Sequence, residues 1–167
     1  ALRDWTRLRC QEFRVYEGGD PWLCHKSRQT PETSGSRRPS FADDRKVCLL
    51  SFPTYWVSIP QWLVEAVKLL QNEYKWIFRA HPRLVDQQLY VARQFGPDVA
   101  PISEVEYASN ERLLDILEFT DLHVTWESTV IQEAYLQGKP SLAIAEAAIR
   151  IFPEVHGAGL LQGARSP

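Results

Sequence analysis

The sequence predicts an α/β fold, a doubly wound and mainly parallel sheet of five or more strands. Two observations carry that expectation. From Lys46 onward, short apolar runs alternate with segments whose apolar residues recur at helical spacing, the pattern of strands joined by crossover helices. Several of the strand runs also end in proline-containing or hydroxyl-rich clusters, which mark the loops where open parallel sheets hold ligands.

"KVCLLSF" (46–52) is continuously apolar and stops at Pro53, as a strand buried on both faces does. "PQWLVEAVKLLQNE" follows, with Trp62, Leu63, Ala66, Val67 and Leu70 on one helical face and Pro60 where a first-turn proline is tolerated. "YKWIFRAHP" (74–82) reads as the second strand and ends at His81-Pro82. "LVDQQLYVARQF" returns to helical period through Val85, Leu89, Ala92 and Phe95. "VAPIS" (99–103) is expected as a short strand, and "NERLLDILEF" as a helix capped by Asn110. The strand "LHVTW" (122–126), a helix over 129–137 and the strand "SLAIA" (141–145) complete the series. Strands alternating with helices, joined by right-handed crossovers, make a Rossmann-like sheet.

With 167 residues, 44% of them hydrophobic, the chain has material for one core and hardly two. The expected organisation is a remnant of an interdomain segment over 1–25 and a linker or mobile loop over 26–45. The Rossmann-like lobe follows over 46–162, and then a tail over 163–167. The loop reading rests on "HKSRQTPETSGSRRPSFADD", which has almost nothing apolar to bury. Nineteen basic and twenty-one acidic residues leave a net charge of −2, which offers no general attraction to nucleic acid or anionic membrane. No apolar stretch approaches a membrane span, and no signal-peptide pattern opens the chain. The expected location is the cytoplasm, including the inner face of the membrane through other parts of a full protein. Cys10, Cys24 and Cys48 show no metal-ligand spacing and read as reduced thiols, so neither a metal nor a cofactor is expected. The absence of Met suggests a piece of a longer protein.

In this architecture ligands bind outside the carboxyl ends of the strands. Three stretches meet there: the loop from Pro53 to Pro60, which includes Thr54; His81-Pro82; and Glu127-Ser128-Thr129. Unpaired N–H groups at the start of the 129–137 helix, with two hydroxyls beside them, suit a phosphate. Thr129 and Gln132 also stand at capping-box spacing, which explains a hydroxyl there without any ligand, and the two roles can coexist.

"STVIQEAYLQGKPSL" resembles the S-[ST]-x-x-x-[ED] … G-K-P segment of GT-B glycosyltransferases, notably capsular-polysaccharide, sialic-acid and glycerol-phosphate transferases. "FRAHP" is similar to their His-Pro motif, and "YEGGDPWL" to the turn with which such enzymes cross between lobes. A weaker likeness joins the same region to sugar-nucleotide 2-epimerases. The resemblance implies the donor-binding C-terminal lobe of a two-lobed enzyme, inactive alone, with the N-terminal lobe as its missing partner and a nucleotide-activated sugar as its substrate. It implies that His81, the catalytic candidate, meets the donor phosphate or departing nucleotide, with Pro82 beside it. Ser128 and Thr129 would hold phosphate oxygens, and Glu133 the ribose hydroxyls. A leaving phosphate needs donors already in place, which such a site supplies without a mandatory metal. Without the resemblance, Glu133 reads as a solvated helix carboxylate. Glu127 departs from the small or hydroxyl residue of some relatives; it meets a sugar hydroxyl or faces water.

His123, inside "LHVTW", reads as a strand histidine and not a ligand. Pro153, Glu154, His156 and Gly157 are expected in a turn-rich segment after the 141–145 strand, where the resemblance implies a wall that closes the nucleotide pocket. Tyr55 and Trp56 suit either base stacking or packing against the absent lobe. The leading function is therefore donor binding for glycosyl transfer. The alternatives are a non-catalytic nucleotide-binding or interaction module, and half of a sugar-nucleotide epimerase.

Overall fold

The structure, a computed structural model, describes residues 38–164 apart from Trp56, Pro82 and Arg83. The expectations for residues 1–37, Trp56, Pro82 and 165–167 lie outside the described residues. Five strands, β1 (Lys46–Ser51), β2 (Tyr74–Arg79), β3 (Leu122–Thr125), β4 (Ser141–Ala143) and β5 (Leu161–Gly163), form one sheet in the order β2-β1-β3-β4-β5. Every pairing is parallel. The fold is α/β and Rossmann-like. The helices are α1 (Gln61–Leu70), α2 (Val85–Phe95), α3 (Ile102–Asn110), α4 (Leu113–Glu118), α5 (Val130–Leu136), α6 (Ala147–Ile151) and α7 (Pro153–Gly157).

Strand alternation sorts the core into two faces. On the first, Cys48, Leu50, Trp76, Phe78 and Val124 pack with Leu63, Val64 and Val67 of α1 and Val91 and Phe95 of α2. On the second, Val47, Leu49 and Ile77 meet Ala108 of α3, Ile116 and Leu117 of α4, and Ala134 of α5. Ile131, Ala143, Ala148, Phe152, Val155 and Leu161 close a third cluster, where α5, α6 and α7 cover β4 and β5. His123 is fully buried on the second face, with Nε2 2.8 Å from Ser51 Oγ and Nδ1 3.0 Å from Ser141 Oγ. It thus ties β1, β3 and β4 together across the sheet. Burial without a counter-charge pushes its pKa down from 6.5 to about 3, so the ring stays neutral.

The structure corrects several sequence expectations. Residues 99–103 form no strand: the N–H groups of Val99 and Ala100 both donate to the Gly96 carbonyl, and Pro101 starts α3. Proline has no N–H for a ladder, and its φ of −56° suits helix entry. The helix takes up the edge position instead. α3 sends Val105 to the first core face and Ala108 to the second, and Ser109 Oγ accepts the Ala80 N–H at 3.0 Å just beyond β2. An otherwise open strand edge is thereby covered. The fifth strand is β5, absent from the sequence reading. Asn110 ends α3 and caps nothing after it; α4 starts after Arg112. The buried face of α2 is also rotated from the expected one, since Gln87, Gln88, Val91 and Phe95 are buried while Leu89 is 49% exposed. The segment holding His156 is helix α7, which precedes β5.

Candidate functional site

Strand order reverses direction between β1 and β3, because the chain leaves β1 towards β2 but builds β3, β4 and β5 on the other side. Crossover segments diverge at such a point and leave a crevice at the carboxyl ends. Ser51 and Thr125 stand side by side there, and Thr125 Oγ1 donates to the Ser51 carbonyl at 2.9 Å. Beyond them, the Phe52 and Trp126 rings pack with centroids 5.2 Å apart. The two loops then meet again: Tyr55 Oη donates to Glu127 Oε1 at 2.6 Å. The phenol is pushed up to about 12, by burial first and by the Glu127 carboxylate second, so it stays a donor at any physiological pH.

Each predicted site residue other than Pro82, which lies outside the described residues, has a definite place. Thr54 is exposed in the loop after β1, and Glu127 is half-buried with its carboxylate engaged by Tyr55. Ser128 Oγ accepts the Val130 N–H at 3.3 Å, and the Ser128 carbonyl accepts from Ile131. Thr129 is exposed and makes no side-chain capping bond, which corrects the Thr129–Gln132 capping box. Its φ of −60° and ψ of −17° already turn it into the helix, whereas a capping side chain reaches back from an extended backbone. His81, half-buried, donates its backbone N–H to Gln87 Oε1 at 3.1 Å, and its carbonyl accepts from Leu84. Glu133 lies half-buried in the first turn of α5.

In a parallel sheet all carboxyl ends share one edge. His81 after β2 and Ser128 after β3 therefore flank β1 from its two neighbours. A second arrangement centres on Arg79, within electrostatic reach of Glu133. The Arg79 guanidinium donates to the carbonyls of Ala108 and Glu111, joining the end of β2 to the end of α3. Burial lowers its pKa, while the carboxylates of Glu133 and Glu111 oppose that shift. Among the described residues, no group of three or more His, Cys, Asp or Glu is placed to hold a metal ion.

Sequence reading missed Arg79 and the Tyr55–Glu127 bridge. A signal for Arg79 existed: Trp76 and Phe78 point to one face, so alternation puts Arg79 on the other beside Ile77, where a basic side chain must find partners. The bridge joins residues 72 positions apart and left no local trace.

No family model and no curated protein matches the chain. A solved structure does: the crystal structure of the glycotransferase of kitacinnamycin superposes with a TM-score of 0.53 at 20% identity. The likeness is one of fold. It covers 92% of this chain and 34% of that one, so the chain spans about a third of the length of the protein it matches. Among the described residues no helix is long and apolar enough to cross a membrane.

Proposed function

We propose that this chain is the donor-binding half of a glycosyltransferase of the two-lobed GT-B type, holding a nucleotide-activated sugar or polyol phosphate for transfer to an acceptor. The carrying observation is the reversal of strand order between β1 and β3, with both flanking loops meeting across it through Tyr55 and Glu127. The fold likeness to the glycotransferase of kitacinnamycin supports the same reading.

In this reading the phosphate lies against the loop from Glu127 to Thr129. The Thr129 hydroxyl is not used for capping, and the Ser128 hydroxyl accepts one bond and keeps its own hydrogen to donate. The Tyr55 phenol fixes the position of the Glu127 carboxylate, which keeps its charge. Donors fixed before the reaction stabilise charge growing on a leaving phosphate without reorganisation. His81, at the neighbouring strand end, is the proposed contact to the departing group. The base that activates the acceptor belongs to the other lobe.

Calorimetric titration tests this. CMP, CDP, UMP or UDP should bind folded protein with millimolar or better affinity, and inorganic phosphate much more weakly. Thr129→Ala should lower nucleotide affinity roughly 10-fold or more, the loss of about one hydrogen bond to a charged group, and should spare stability because no cap is removed. Equal binding of phosphate and all four nucleotides would leave a non-catalytic module as the better description.

A further inference from the structure

A concavity is lined by residues other than those at the β1–β3 switch point. α1 and α2 cover the first face of the sheet, whereas α5, α6 and α7 cover β4 and β5 on the second. Leu142 and Gln162 alternate away from the buried Ser141, Ala143 and Leu161, and so project from the first face of β4 and β5. Trp62 of α1, Leu142 and Gln162 on this face, with Glu146 after β4 and with Ile149 of α6 and His156 of α7 beside β5, line a cleft of about 1120 Å³.

We propose that this cleft binds a neutral saccharide of two or more rings. Trp62 supplies an aromatic surface for the C–H face of a pyranose, with Leu142 and Ile149 extending the apolar wall. Three polar side chains supply hydroxyl partners of different kinds. Glu146 accepts, Gln162 both donates and accepts, and His156 is fixed in orientation by Nδ1–H donating to the Leu161 carbonyl at 2.8 Å. That bond leaves Nε2 of the neutral ring as an acceptor. Charge complementarity selects the ligand class. No Lys or Arg is among the described residues lining the cleft, and Glu146 is the one carboxylate there. Against this described lining a phosphate or carboxylate ligand meets the Glu146 charge with no Lys or Arg opposite it, while an uncharged polyol meets acceptors and donors. The volume exceeds the roughly 300–1,000 Å³ of an ordinary small-ligand pocket, which is why more than one sugar ring is assigned. An apolar peptide would leave Glu146, Gln162 and His156 unpaired beneath it.

The site does not depend on nucleotide binding at the crevice, and the test separates the two. Cellobiose, maltose and chitobiose are titrated into the folded chain by saturation-transfer and amide-shift NMR, with glucose 6-phosphate and an amphipathic peptide as comparisons. At least one disaccharide should bind in the millimolar range, with shifts at Gln162 and His156, and the phosphosugar should bind less. Trp62→Ala and Gln162→Ala should each weaken binding several-fold, and Thr129→Ala should leave it unchanged. Gln162 is exposed, so its variant reports on the cleft even if Trp62→Ala fails to fold. The proposal is overturned if no disaccharide binds at about 20 mM, where a Kd of 1 mM would be near saturation. Binding indifferent to Gln162→Ala, or occupation by the peptide alone, overturns it equally.

Discussion

Replacing Phe78 with alanine is expected to lower the free energy of unfolding by about 3–5 kcal/mol. Phe78 sits in β2 at 2% exposure, and its ring packs on Phe95 of α2 with centroids 4.5 Å apart. The substitution removes apolar burial and leaves a cavity between strand and helix that neither can collapse to fill. A domain of this kind has only about 5–15 kcal/mol in total, so the loss is a large share. The effect reaches the candidate site, because α2 carries Gln87, the side chain that accepts the His81 N–H. Urea unfolding should show a lower midpoint with little change in slope, whereas Leu69→Ala, at a position 80% exposed, should stay within about 0.5 kcal/mol. A loss under about 1 kcal/mol for Phe78→Ala would mean that α2 does not pack on β2 as described.

Acid should destabilise the protein well above the carboxylate range. His123 has a folded pKa near 3, below its ordinary 6.5, so the unfolded chain takes up a proton that the folded chain refuses. Its contribution is fully present above pH 6.5 and is lost as pH falls towards 3, at up to about 1.4 kcal/mol per pH unit. Between pH 7 and pH 5 the expected loss is about 2 kcal/mol. Asp43, held near 2 by its hydrogen bonds to Arg45, titrates in a lower window: its contribution is present above 3.8 and is lost as pH falls through 2. The two windows therefore separate. Urea unfolding at pH 7 and pH 5 measures the first, and His123→Gln should flatten the dependence while lowering stability at pH 7, since the partners Ser51 and Ser141 are buried. If the His123 variant fails to fold, the ring shift in the native protein decides: protonation near pH 6 would contradict the account.

Four of the five strands were legible because β1, β2, β3 and β4 fall within apolar runs, and burial on both faces demands such runs. β5 was not legible: "LQG" has one apolar residue and is a strand because the edge of β4 is there to pair with it. "VAPIS" misled in the opposite way. Its composition suits a strand, but the Gly96 carbonyl captures its first two amides and Pro101 commits the rest to α3. The loops of the candidate site were legible from topology alone, since parallel strands put their carboxyl ends on one edge. What those loops touch was not. Glu127 is set by a tyrosine 72 positions away, and Gln87, a polar residue of α2, is buried and serves a backbone amide outside that helix.

The central claim is that a nucleotide occupies the crevice at the β1–β3 switch point, and amide-shift mapping of the folded chain during titration with CMP or UDP tests it most directly. The account predicts that the largest shifts fall in residues 53–60, 80–84 and 127–133, which follow the carboxyl ends of β1, β2 and β3 in the chain, and that the amino-terminal ends of the strands around Lys46, Tyr74 and Leu122 stay still. Shifts concentrated at those amino-terminal ends, or confined to the cleft around Trp62 and Gln162, would contradict it.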